Sequence, residues 1–423
     1  MKNFLSTFGV WIVAAIVAAC LPQLFGSGLA LTSMSLMGMM IIFSLSYNML
    51  LGQTGLLSFG HAVFFGLGGF FCVHAMNDVA AGKLPVPLIV VPLAGAAAGL
   101  VFGALLGWVS TRRGGTAFSM ITLGIGELVA SSALILRHFF GGEEGVTTNR
   151  TDLAPLFGLN FGPQLQVYYL IAAWCLVSVA AMYALTRTPF GRICNAVRDN
   201  PERAAFIGYD PQAVRFLSFT LSGLFAGIAG ALAAINFEIM NAGQLGAAQS
   251  GAVILMVFIG GVGTFAGPII GAILVTYLQV ALSDVTDAWQ LYFGLLFIGM
   301  VMFVPEGIAG LLLRQQPLLR ERQLHRVVPF YALALLAGLV TIAGLSLAIE
   351  MANRLTAHAG DGPKMAFLHV PLNATSVLPW AIAAVLLVGG GWLFLRAARA
   401  SRNAYDTALA ASLAAALAHR SNA

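Results

Sequence analysis

The sequence predicts an all-α, polytopic integral membrane protein with about ten core transmembrane helices, some broken or short, and two more toward the C-terminus. Three observations predict it. Of 423 residues, 59% are hydrophobic and only 9% charged, with a mean hydropathy of +0.89, so there are too few charges to clothe a water-soluble surface. The apolar residues come in runs of about 20, the helical length that crosses about 30 Å of hydrocarbon. The Lys and Arg gather in short polar breaks between those runs. The net charge of +5 therefore reads as a topology signal and not as a nucleic-acid face.

Taken in order, spans are expected near residues 8–25, 29–50, 61–76, 86–110, 116–136, 167–186 and 216–237. The first follows Met1-Lys2-Asn3 and is long enough to span. The next begins directly after Gly26-Ser27-Gly28, so the first reads as a retained helix and not a signal peptide. Residues 250–279 are interrupted at Gly260-Gly261-Val262-Gly263-Thr264-Phe265-Ala266-Gly267-Pro268 and read as two shorter helices meeting at a turn. Single spans follow at 289–313, 328–349 and 377–395. Cys20, Cys72, Cys175 and Cys194 form no CxxC or Cys/His pattern, which leaves neither a disulfide framework nor a zinc site.

Charge tests this layout. With the chain starting inside and 250–279 counted as two passes, sixteen of the 21 Lys and Arg lie inside. Five lie outside: Lys83, Arg137, Arg150, Arg354 and Lys364. A single pass would place the Arg314 to Arg326 cluster outside, against the positive-inside rule. Both termini are therefore expected to be cytoplasmic.

The longest internal loop of the core, 187–215, is punctuated clearly. Asn200 suits an N-cap, Pro201 the first helical position, Glu202 the positive end of the dipole and Gly208 the C′ position. A helix of about seven residues is expected there, and Asp210-Pro211 repeats the signal to launch the next span. Physics alone leaves two readings for this element, a docking helix or an ordinary amphipathic connector.

Three motifs carry a resemblance to a known family. They are Gly191-Arg192-x-x-x-Ala196-Val197-Arg198-Asp199-Asn200-Pro201-x-x-Ala204-Ala205-x-x-x-Gly208, an earlier Tyr47-Asn48-x-x-x-Gly52-Gln53-x-Gly55-x-x-Ser58-Phe59-Gly60-His61-Ala62, and a later Ile259-Gly260-Gly261-Val262-Gly263-Thr264-x-x-Gly267-Pro268. In this order they resemble the branched-chain amino-acid ABC permeases, the LivM family, with urea and amide permeases as relatives. The resemblance covers roughly residues 29–313. It implies a pore subunit in a bacterial inner membrane, paired with a second permease, two cytoplasmic ATPase subunits and a periplasmic binding protein. It also implies that Arg198, Asp199, Asn200, Pro201, Ala204, Ala205 and Gly208 form the contact to the ATPase, with Arg198 and Asp199 at its rim. Residues 1–314 then make the permease domain and 315–423 an extension outside the family core. Glu306 departs from the family, which often carries a basic residue there.

The two glycine-rich breaks, at 52–61 and 260–268, each run Gly-x-x-Gly, then a hydroxyl residue and Phe. They read either as discontinuous helices whose freed backbone lines a solute route or as close packing through small residues. Gln53, Ser58 and His61, with Gly260, Gly263 and Thr264, are the candidates nearest such a route. A lone histidine such as His61 is also accounted for as a helix-packing residue. Glu127, mid-span in 116–136, is either a polar contact along the route or a hydrogen-bonded packing residue.

An ion-coupled secondary transporter would bury several ionisable groups, and Glu127 is the one found near a midplane. No HExxH, GxSxG or carboxylate–histidine cluster points to an enzyme. None of Lys2, Lys83 and Lys364 stands in a phosphate-binding GxxxxGK[ST], so no cofactor is expected in this chain and ATP would be used by the partner subunits. Leucine, isoleucine and valine are the expected solutes, with urea or short amides the alternative.

Overall fold

The computed structural model describes residues 2–153, 160–316, 325, 327–356, 362, 364–367 and 370–421. Arg320, Arg322 and Arg326, on which the charge split leans, lie outside the described residues. The chain divides into two compact units, Met1–Leu282 with Leu296–Gly310, and Ser283–Leu295 with Leu311–Ala423.

The first unit is all-α apart from one two-residue strand pair. Its long helices are α1 (Lys2–Leu24), α2 (Gly28–Thr54), α3 (Ala62–Ala80), α4 (Pro92–Ser110) and α5 (Thr116–Ile135). After the single turn α6 (Arg137–Phe140) come α7 (Gln164–Arg187), α8 (Pro189–Asp199), α9 (Pro201–Phe206), α10 (Pro211–Phe237), α11 (Ala247–Gly260) and α12 (Ala266–Ser283). Then follow α13 (Trp289–Phe303) and α14 (Gly307–Arg314), each with residues in both units. Among the described residues nine helices are long and apolar enough to cross a membrane; α13 with α14 counts as a bent tenth, and Gly9–Leu24 and Ala247–Gly260 are shorter apolar helices.

Two of the expected spans before residue 315 differ in outline. The span expected from residue 86 begins at Pro92, because Pro85, Pro87 and Pro92 each disfavour helix in the residue before them, and Pro92 supplies the first helical position. The span expected across 289–313 bends by 41° between α13 and α14. Pro305 lies in that break, where it lacks an N–H and crowds the preceding turn.

Helix α10 is the centre of the first unit, with 78% of its apolar window buried. It lies against α4 backbone to backbone. A methyl added at Gly99 would run into the Gly223 carbonyl, and one at Gly227 into the Gly95 carbonyl. Spaced four apart on each helix, these glycines make one flat stripe per helix, the geometry by which membrane helices approach most closely. From this position α10 reaches α2: the Ser218 hydroxyl donates to the Met49 carbonyl at 3.1 Å and Ser222 to the Ser46 carbonyl at 2.7 Å.

The two ends of this unit differ. At one, β1 (Val146–Thr147) pairs antiparallel with β2 (Ile239–Met240), and Arg150 closes the C-terminus of α10 by donating to the Ile235 and Asn236 carbonyls at 3.3 and 3.2 Å. At the other lie the end of α2, the α8–α9 loop and the α11–α12 turn. The chain from Ile239 to Gly260 therefore crosses from the first end to the second. The Ser44 hydroxyl, one turn above Asn48 on α2, bonds the Pro268 carbonyl at 3.0 Å, and Gly271 packs on the Met256 carbonyl, so α12 folds back along α11.

The second unit is a long hairpin of helices Val328–Thr356 and Val377–Ser421, joined through β3 (Lys364–Phe367) and β4 (Val370–Asn373). Leu347, Met351, Ala374 and Ala383 form its buried cluster at the strand end. The expected span ended near residue 395, but the helix runs through its 45 residues unbroken. At 1.5 Å per residue that is about 68 Å, more than twice the hydrocarbon thickness.

The glycine seam generates a stability prediction. Gly227→Val should destabilise the detergent-solubilised protein by about 1–3 kcal/mol or more, because rigid backbone and not a flexible side chain receives the added atoms. Gly299→Ala, where a methyl would meet nothing within 4 Å, should leave the melting temperature unchanged. Equal melting of the two variants would contradict the packing described.

Candidate functional site

The first break follows the end of α2. Gly55 takes φ +69 and closes the helix, its N–H donating to the Leu51 carbonyl while the Leu56 N–H reaches back to Leu50. This is the left-handed glycine stop that shields terminal carbonyls. The chain then turns back into the bundle as an extended segment, whose backbone polar groups would be costly if left unmade in lipid. Neighbouring side chains take them up. Tyr47 donates to the Ser58 carbonyl at 3.0 Å, Ser119 to the Leu57 carbonyl at 2.7 Å, and the Phe59 N–H donates to the Thr122 hydroxyl at 3.2 Å. The Ala62 N–H at the start of α3 donates to Ser250 of α11 at 3.1 Å.

Ser58 and His61 are wholly buried in this segment. His61 Nε2 lies 3.0 Å from the Ser46 hydroxyl, and its ring stacks on Phe43 and meets Tyr47 and Phe64 edge-on. It sits as a packing histidine between aromatic rings. Gln53, in the last turn of α2, is half-buried.

The second break joins α11 to α12. Gly260 is buried against Gly267 so closely that a methyl at either would strike backbone. Gly261 and Gly263 take φ +120 and +83, values that favour glycine. The Thr264 hydroxyl accepts from the Gly267 N–H at 3.1 Å and opens α12. The buried Asn48 amide of α2 clamps this turn, donating to the Thr264 carbonyl at 3.3 Å and accepting from the Gly263 N–H at 3.4 Å. The second break is thus held against α2 about one turn before the first break begins.

The α8–α9 loop lies beneath them. Asn200 caps α9 as expected: its Oδ1 accepts from the Arg203 N–H at 2.9 Å, Pro201 opens the helix, and Gly208 follows it at φ +97. Asp210 then caps α10 through the Gln212 N–H at 2.9 Å. A helix that was not expected, α8, precedes α9. Its signal is the same cap-and-proline pair, Thr188-Pro189, with the Thr188 hydroxyl accepting from the Gly191 N–H at 3.4 Å. Gly191, Cys194 and Val197 form its buried face, and burial pushes the Cys194 thiol up to about 12, leaving it protonated and unreactive at neutral pH.

The alanine pair divides. Ala204 is buried within this chain while Ala205 is exposed, and beside it Phe206 and Ile207 stand 89% and 65% exposed. Those two apolar residues were not singled out from the sequence, since an apolar pair after Ala-Ala gives no sign of which way it points. Arg198 is exposed, and its guanidinium turns toward the end of α2. Its Nη1 donates to the Gly52 carbonyl at the end of α2, and its Nε and Nη2 lie 3.0 Å from Asp199 Oδ1. Asp199 itself is exposed.

Glu127 belongs to a different surface. It is the twelfth residue of the 20-residue α5 and is exposed, with Ala117, Met120, Gly124, Leu128 and Ser131 at helical spacing along the same open face. The opposite face meets the first break, where Gly126 packs on Gly60. Among the described residues its carboxylate makes no hydrogen bond or ion pair.

Residues 29–305 match the family described as branched-chain amino acid transport system / permease component. Among curated proteins, the chain is 27% identical over 289 residues to the high-affinity branched-chain amino acid transport system permease protein LivM of Escherichia coli, covering 63% of this chain and 67% of that one. It is 23% identical to the permease protein BraD of Pseudomonas aeruginosa, over 64% of this chain and 91% of the relative. It is also 30% identical to the fructose import permease protein FrcC of Rhizobium meliloti, over 50% and 60%. No solved structure matches the chain. With the family match spanning both helix breaks and the capped loop between them, the chain belongs to the permease components of the branched-chain amino acid transport systems.

Proposed function

We propose that this chain is the pore subunit of an ABC importer for branched-chain amino acids in a bacterial inner membrane. It works with a second permease, two cytoplasmic ATPase subunits and a periplasmic binding protein, and both of its termini are cytoplasmic. The exposed tip of α9 carries the reading. Two large apolar side chains, Phe206 and Ile207, stand out from a short helix held by a cap on each side, in a loop that the charge split assigns to the cytoplasm. Exposed apolar surface on a rigid mount is what a helix needs to seat in a partner's groove. Ala205 beside it keeps the approach close, and Asn200, Pro201 and Gly208 hold the shape.

The open face of α5 supports the pathway. A carboxylate facing acyl chains at mid-span costs about 2.5–3.5 kcal/mol or more, so this face meets water or the second permease. Its small residues leave room for a solute, and the Glu127 carboxylate suits one that carries an ammonium group. Branched-chain amino acids carry it and urea does not. Gln53 borders the same route, while Ser58, His61, Gly260, Gly263 and Thr264 shape the broken helices behind it.

Three measurements test this. Ala205→Trp and Phe206→Asp should each cost about 1–3 kcal/mol at the contact, roughly a five- to hundredfold loss of ATPase co-purification; wild-type retention by an inserted protein would make the loop a mere connector. Glu127→Gln should raise the half-saturating concentration for labelled leucine by about tenfold, the loss of one charged hydrogen bond, and leave any urea uptake unchanged. Single cysteines replacing Lys83 and Arg150 should label from the periplasmic side, and those replacing Arg203 and Arg402 should not. Outside labelling at position 203 would invert the topology and remove the ATPase contact from α9.

A further inference from the structure

Arg198 stands where the α8–α9 loop meets both helix breaks. It is in the last turn of α8, two residues before the cap of α9. Its Nη1 donates to the Gly52 carbonyl, one of the terminal carbonyls of α2 that has no partner within the helix. A methyl at Gly55 would meet its Cγ at 3.0 Å, and one at Gly263 would meet Nη1 at 3.8 Å. One side chain therefore bonds the end of α2, lies against the start of the first break and stands near the turn of the second. Asp199 Oδ1 receives both Nε and Nη2 at 3.0 Å and fixes the plane of the fork. The Arg198 side chain is 35% exposed and that of Asp199 68%, so the guanidinium is partly shielded while its carboxylate partner faces outward. A cation at the C-terminus of α2 is also favoured by the helix dipole.

We infer that Arg198 is a transmission residue: it converts a displacement of the α8–α9 loop into movement of both helix breaks. This rests on the reading of α9 as the ATPase contact. Asn48 already ties α2, one turn before the first break, to the second break, its amide holding Thr264 and Gly263. Pulling on the Gly52 carbonyl moves the end of α2, and Asn48, one turn earlier, moves the α11–α12 turn with it. A planar, multidentate donor is needed, because one arm must hold Gly52 while the other two stay on Asp199. Lysine offers a single point of attachment and cannot do both with fixed geometry. Arg198 acts through the broken helices and touches no solute.

The test uses the assembled transporter in vesicles, reading ATPase co-purification, ATP hydrolysis with and without solute, and leucine moved per ATP. Arg198→Gln should keep the ATPase bound at the wild-type ratio and keep hydrolysis without solute, but lower leucine moved per ATP by about tenfold, within the usual range of coupling between sites. Arg198→Lys and Asp199→Asn should fall between, each a few-fold down, and they decide the matter if the glutamine variant does not insert. Wild-type transport per ATP in Arg198→Lys and Arg198→Gln alike would overturn the inference. So would loss of ATPase binding in these variants, since Arg198 would then belong to the docking surface. Failure of the wild-type chain to retain any ATPase would instead overturn the reading of α9 itself.

Discussion

Backbone contact between α4 and α10 is the constraint on which the permease unit depends. In lipid, apolar side chains gain little by turning from acyl chains to one another, so close packing and hydrogen bonds hold helices together. The stripes at Gly95, Gly99, Gly223 and Gly227 let the two helices touch along their main chains. That sets α10 deep enough for Ser218 and Ser222 to reach carbonyls on α2. With α2 placed, residues near its end reach both breaks and the α8–α9 loop. Tyr47 supports the first break and Asn48 the second, while the Gly52 carbonyl receives Arg198.

The breaks themselves are shaped by the cost of an unmade hydrogen bond away from water. This is why hydroxyl and amide side chains accumulate opposite them. Thr122 and Ser119 of α5, Ser250 of α11 and Asn48 of α2 each complete a backbone group that no helix or sheet ladder would satisfy. The result is non-helical chain that is held in place yet short of helical hydrogen bonds, and so cheaper to move than an intact span.

The length and order of the helices were legible because hydrophobic runs and caps are local. Asn200-Pro201 and Asp210-Pro211 predicted α9 and the start of α10, and the same logic at Thr188-Pro189 was available for α8. The bend at Pro305 and the continuation of the last helix past residue 395 were missed for opposite reasons. An apolar run hides a single proline, and a span reading stops where hydrophobicity stops although the helix need not.

By itself the sequence determined that this chain is a multi-helix membrane protein, where its helices break, and that a capped helix links two of its spans. All of these follow from dihedral preferences and hydrophobicity within a dozen neighbouring residues. Only the tertiary structure decided which polar residues serve packing and which face outward. His61 and Glu127 are each single ionisable residues in apolar surroundings, yet one is enclosed by Phe43, Tyr47 and Phe64 and the other stands on the open face of α5. Likewise the bond from Arg198 to the Gly52 carbonyl required residues 52 and 198 to be brought to one place. Such contacts depend on the rotation and depth of whole helices, and those are set by the glycine seam far along the chain.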